Sequence, residues 1–279
     1  MKIVFSFLLL MVSLPLAAGS ETSIYNYGDI EKGETCLFGD SVRIRKTPEI
    51  KEDNVLNTLP AGYAVTVERK TANVMALNGF SSNWYWISYK NRGKSESGFV
   101  WGGLLAIGYV KKENDLFLLG IKGFSSEKGF EGECRIVSGG KIVSVLPVKL
   151  HYLPDGSGNP FYGYTVSLSL NNGMGLSGLD NVVDIYCHYD ACGYPGGHIW
   201  TGIAGKKIYF LGSDSSVSEA GVFHYEERMI FPSEDKSLKD EVRLVSESFD
   251  FDEKIKDYRL SDRKEKRFIW KNPKMEERR

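Results

Sequence analysis

From Asp115 onward the chain is cut into apolar runs of four to seven residues, too short for helices and separated by turn-forming residues. The runs are Leu116–Ile121, Cys134–Val137, Lys141–Leu146, Tyr164–Leu170, Val182–Tyr186, Lys207–Leu211 and Glu241–Val245. Between them stand Asp155-Gly156, Asn171-Asn-Gly173 and Ala204-Gly205, residues that accept the positive backbone angles of tight turns. No long stripe with a 3.6-residue period interrupts this rhythm, and 30 glycines with many aromatics favour strands and turns. The pattern is that of an antiparallel sandwich or barrel, so the fold class read here is all-β.

The first residues have a different character. Lys2, the apolar run Ile3 to Leu16 and the small residues Ala17-Ala-Gly-Ser20 have the three-part layout of a secretory signal peptide, read as residues 1–19. The run falls short of the ~20 residues an anchor needs. No later stretch is long and apolar enough to span a bilayer. The expected location is therefore periplasmic or secreted. With 35 basic against 36 acidic residues, the charge balance argues against nucleic acid or an anionic membrane surface as partner.

Residues 36 to 105 carry four blocks in order: Ser41-Val-Arg-Ile-Arg-Lys-Thr-Pro48, Leu56 to Val67, Trp84-Tyr-Trp-Ile-Ser-Tyr89 and Gly98-Phe-Val-Trp-Gly-Gly-Leu-Leu105. In sequence and spacing they resemble the bacterial SH3-like (SH3b) domain family. The resemblance implies a small binding barrel at residues 34–106. The remainder, residues 110–279, is read as a carboxy-terminal antiparallel β domain, sandwich or barrel. Within it, Gly140–Pro147 and Gly205–Gly212 share a Gly-Lys start and alternating apolar residues, which suits either equivalent hairpins of a repeated unit or two ordinary strands after glycine turns. The charged tail after Phe268-Ile-Trp270 reads as solvated surface.

The family blocks also separate core from candidate contacts. With Ile87 at a buried position, alternation puts Tyr85 and Tyr89 on its face and turns Trp84 and Trp86 to the other. Trp86 and Trp101 are aromatic where the family pattern has none. Two readings follow: a ligand platform of Trp86, Trp101 and Trp84 with Tyr63 and Arg45 beside it, or indoles packed beneath the second unit. The platform reading makes the protein an exported, non-catalytic binding protein of the bacterial envelope that recognises peptidoglycan or a protein peptide. The alternatives are a structural envelope component and a cell-wall hydrolase with residues around His188, Asp190 and His198.

Four cysteines in an exported chain suit disulfides, with Cys187–Cys192 and Cys36–Cys134 the favoured pairs. The segment Cys187 to His198 lacks the second ligand pair of a zinc site, and no metal or other cofactor is expected. No cysteine sits in a papain-like or transpeptidase motif, and Gly175-Leu-Ser-Gly-Leu179 misses the last glycine of a serine elbow. Gly173-Met-Gly-Leu-Ser-Gly178 leads into a probable strand rather than the helix that a dinucleotide needs. Asp250-Phe-Asp-Glu253 lacks the glycine and spacing of a calcium loop.

Overall fold

The computed structural model describes residues 25–152 and 162–278. The signal-peptide segment and the Asp155-Gly156 turn lie outside these residues. Among the described residues the protein is all-β, with two single-turn 3-10 segments and no α-helix. All seven apolar runs fall on strands, as the alternation predicts. Among the described residues no helix is long and apolar enough to cross a membrane.

Strands are numbered in chain order. The amino-terminal sheet contains β2 (Gly33–Cys36), β3 (Ser41–Arg45), β4 (Val55–Pro60), β5 (Ala64–Leu77), β6 (Phe80–Asn91) and β7 (Lys94–Trp101). Its order is β2-β5-β6-β7-β3-β4, and an isolated bridge joins Leu37 to Leu105. The second sheet is a four-stranded meander of β8 (Gly108–Lys112), β9 (Asp115–Ser125), β10 (Gly129–Ser138) and β11 (Lys141–Lys149). The third runs β12 (Thr165–Asn172), β13 (Asn181–His188), β14 (Gly197–Ala204) and β15 (Lys207–Ser213), with β1 (Tyr25–Asn26) added beside β12. The fourth is the meander β16 (Ser216–Glu219), β17 (Phe223–Ile230), β18 (Glu241–Asp252), β19 (Asp257–Lys271) and β20 (Lys274–Glu277).

One large cluster of buried side chains joins the first three sheets: Ile87 and Trp84 belong to it together with Phe117, Phe130, Val183 and Ile199. The core thus runs without a break across residues 106–110. A second cluster, with Val182, Leu211, Phe231, Val242 and Trp270, joins the third sheet to the fourth. Each fully buried Leu, Ile or Phe contributes roughly 1.5–3 kcal/mol.

Turn chemistry fixes where these sheets meet. Asn78 and Gly79 both have positive φ, as a two-residue hairpin between β5 and β6 requires. This turn docks on β9, where Phe124 N–H donates to the Asn78 carbonyl at 2.9 Å. A Cβ on Gly79 would stand 2.0 Å from the Phe124 carbonyl oxygen, so no larger residue fits without moving the strand. The two Gly-Lys segments are indeed second strands of hairpins, β11 and β15.

Candidate functional site

The expected face assignment on β6 holds: Tyr85, Ile87 and Tyr89 are all buried. The expected platform does not assemble. Trp84 and Trp101 lie directly opposite one another on β6 and β7, and both are 3% exposed. The Trp101 indole N–H donates to the carbonyls of Met75 and Ser82 at 3.0 and 3.1 Å, and its ring packs on Phe80 with centroids 5.2 Å apart. The β5–β6 hairpin supplies all three of these contacts, so Trp101 belongs to the core. Arg45 is also enclosed: its guanidinium donates to the Lys51 carbonyl at 2.5 Å and to Asn54 Oδ1 at 2.8 Å. Tyr63 is half-buried and donates its hydroxyl to the Lys90 carbonyl.

Trp86 alone of the three indoles keeps an open face. It is half-buried, with Phe99 edge-on at 4.7 Å and the Arg69 guanidinium over its ring at 5.9 Å. Strand register sets Arg69, Trp86, Phe99 and Arg45 in one row across β5, β6, β7 and β3. Trp86 and Arg45 are therefore brought into one row, but Tyr63 stands apart.

Two and four residues beyond Trp86 on the same face of β6 are Ser88 and Lys90, and both line a groove of about 640 Å³. The groove lies where β2 and β8 come together. Ala106 N–H donates to the Cys36 carbonyl at 2.9 Å, and Thr35 Oγ1 donates to the Ala106 carbonyl at 3.2 Å. Past this junction Thr66, Ser95, Tyr109 and Lys111 complete the polar walls. The groove offers cationic, acidic, hydroxyl and aromatic side chains, and Trp86 stands outside its lining, two residues before Ser88 on β6. Its charge is mixed, because Glu34 also lines it and Ser88 Oγ donates to Glu68 at 2.7 Å, so it suits a polar ligand with both donors and acceptors, such as amides. The alternation of Tyr109 and Lys111 with buried Val110 is the signal in the sequence of a half-exposed strand.

The segment around His188, Asp190 and His198 divides between two environments. His188 lies within 3.0 Å of Thr165 Oγ1, and its other nitrogen is 3.6 Å from the exposed Asp190. His198 is held elsewhere, with Nδ1 2.7 Å from Asp184 Oδ1. Burial alone would pull the His198 pKa down, but the hydrogen bond and charge of Asp184, with Asp214 behind, hold it above the ordinary value. Asp214 is buried and accepts three hydrogen bonds: from His198 N–H at 3.1 Å, from the Trp200 indole at 2.9 Å and from Met229 N–H at 3.3 Å. His188, Tyr186, His198 and Trp200 stack in sequence across β13 and β14. Asp190, exposed beside His188, takes no part in the His198 site. Asp184 and Asp214, the carboxylates that do, escaped the sequence reading because cross-strand register brings them there. Nearby, His151 Nε2 is buried with no hydrogen-bond partner among the described residues, and burial holds its pKa below the usual value.

The four cysteines are free thiols, and neither expected pair is made. Cys36 packs with Leu118 and Val137 on one face of the second sheet, whereas Cys134 packs with Leu119 and Ile136 on the other. Strand alternation thus keeps these two thiols on opposite sides of the sheet. Cys187 points into the main core, whereas Cys192 is exposed in the β13–β14 connection. Among the described residues no group of three or more His, Cys, Asp or Glu side chains suits a metal.

Compared with protein-family models, curated proteins and solved structures, the chain matches none.

Proposed function

We propose that this protein is an exported, non-catalytic binding protein of the bacterial envelope, with an SH3-like barrel at residues 34–106 set against a carboxy-terminal β domain. Its ligand in this reading is peptidoglycan or a protein peptide, seated in the groove between β2, β5, β6 and β8. The supporting observation is the groove itself, about 640 Å³ and lined by Lys90, Lys111 and Glu34 with Ser88, Thr66 and Tyr109; strand alternation sets Trp86 two residues before Ser88 on the same face of β6. Lys90 and Lys111 would pair with ligand carboxylates, hydroxyls of Ser88 and Thr66 would orient amides, and Trp86 would pack on a sugar or side chain. The platform expected from the sequence is thereby reduced to Trp86, and Tyr63 is held by its hydroxyl on the Lys90 carbonyl.

Co-sedimentation with insoluble peptidoglycan tests this reading. Wild type is expected in the pellet, and Lys90→Glu with Lys111→Glu in the supernatant at unchanged melting temperature. Equal retention of both proteins would contradict the groove assignment.

A further inference from the structure

Cys192 differs from the other three cysteines in every physical respect. Burial pushes the thiols of Cys36 and Cys187 up to about 11, and that of Cys134 is raised as well, so all three stay protonated and enclosed near neutrality. Cys192 is exposed, and the loop that carries it is pinned to the fourth sheet by Gly193 N–H donating to the Ser218 carbonyl at 2.7 Å. It lines a cavity of about 440 Å³.

Strand register furnishes the rest of that cavity. Ser218 stands opposite His224, and His224 opposite Phe249, so the three form a row across β16, β17 and β18. Glu226, two residues beyond His224, lies on the same face, and its Oε2 is 3.4 Å from His224 Nε2. Tyr258 forms another wall, its hydroxyl fixed by the Gly221 N–H at 2.9 Å. The cavity therefore joins a thiol, an imidazole beside a carboxylate and two aromatic rings, in a volume within the range of small-molecule sites.

We propose that this cavity is a thiol–disulfide exchange site at which Cys192 takes up a low-molecular-weight disulfide, RSSR. His224 accepts the Cys192 proton and the sulfur attacks one sulfur of RSSR. The S–S bond of RSSR breaks as the Cys192–SR bond forms, and the departing RS⁻ takes the proton from His224. One disulfide is consumed and one is made, so no further oxidant enters. Cys187, the nearest cysteine in sequence, faces the core on the other side of its strand, so it cannot displace RSH. The mixed disulfide is the end product.

The test uses the full-length, reduced protein with 5,5′-dithiobis(2-nitrobenzoate), followed by chromophore release, and with oxidised glutathione, followed by intact mass and peptide mapping. One fast adduct per folded chain is expected, located on Cys192 and absent from Cys192→Ser. His224→Gln should slow formation at neutral pH at least about tenfold, with melting curves separating loss of reaction from loss of fold. Should His224→Gln fail to fold, Glu226→Gln is expected to slow it in the same sense. A native thiol that reacts no faster than N-acetylcysteine, or a rate indifferent to both substitutions, would overturn the proposal.

Discussion

The amino-terminal sheet and the fourth sheet are both built from long antiparallel strands, yet different forces hold them. On β6 and β7, Tyr85, Ile87 and Val100 are fully buried, and the curled sheet covers even the opposite face at Trp84 and Trp101. On β19 the residues from Asp257 to Arg267 are mostly exposed, and the strand relies on its backbone ladder with β18 and on cross-strand ion pairs. Arg263 meets Glu247 directly opposite, and Arg259 Nε lies 2.9 Å from Asp252. Only the base of this ribbon, at Val242 and Trp270, enters a core. The two strands differ in sequence as in burial: β6 carries Trp84, Tyr85, Trp86, Ile87 and Tyr89, and β19 is charged or polar from Ser261 to Arg267, so only the first offers a second face for a neighbouring element to close over.

That contrast breaks first where the core is emptied. Trp101→Ala removes a buried ring and two indole hydrogen bonds and should lower stability by about 3–5 kcal/mol, measured by chemical denaturation. A loss under 1 kcal/mol would mean the indole is not enclosed. Next in size is the joint between the third and fourth sheets. Asp214→Ala takes the acceptor from the Trp200 indole and the Met229 amide, while His198 N–H keeps the Asp214 backbone carbonyl at 3.2 Å, and should cost about 2–3 kcal/mol, with early exchange of the Met229 amide.

A pH dependence sharpens the same joint. The fold favours protonated His198, so its contribution is fully present below the unfolded value near 6.5 and is lost as pH rises through the raised folded value. His151 has the opposite sign: burial favours its neutral form, so its contribution is complete above the unfolded value and falls as pH drops. Asp184→Asn should flatten the alkaline decline in melting temperature. Because His198 is 35% exposed, the effect should stay below about 1 kcal/mol. The smallest effect belongs to the ribbon. Arg263→Ala should change stability by less than about 0.5 kcal/mol, and salt should erase the difference.

Strand positions were legible in the sequence because a period of two, broken by Gly and Asn, leaves few alternatives. The shared face of Tyr85, Ile87 and Tyr89 was legible for the same reason. Period alone does not reveal whether a face is covered. Trp101 looks like a spare aromatic in sequence, and it is buried because the β5–β6 hairpin, turning at Asn78-Gly79, folds back over it. The cysteines illustrate the same limit: their parity assigns each to a side of its strand, but which sides meet depends on how the sheets stack. His224, Glu226 and Phe249 converge through register across three strands, which no local motif announces.

The proposed function rests on the groove and on the half-buried Trp86 beside it on β6, and titration of soluble peptidoglycan fragments into wild type and Trp86→Ala tests it most directly. Removing the indole is predicted to weaken binding about tenfold while the melting temperature moves by no more than a few degrees. Equal affinity of the two proteins, or a collapse of stability without any wild-type binding to lose, would contradict it.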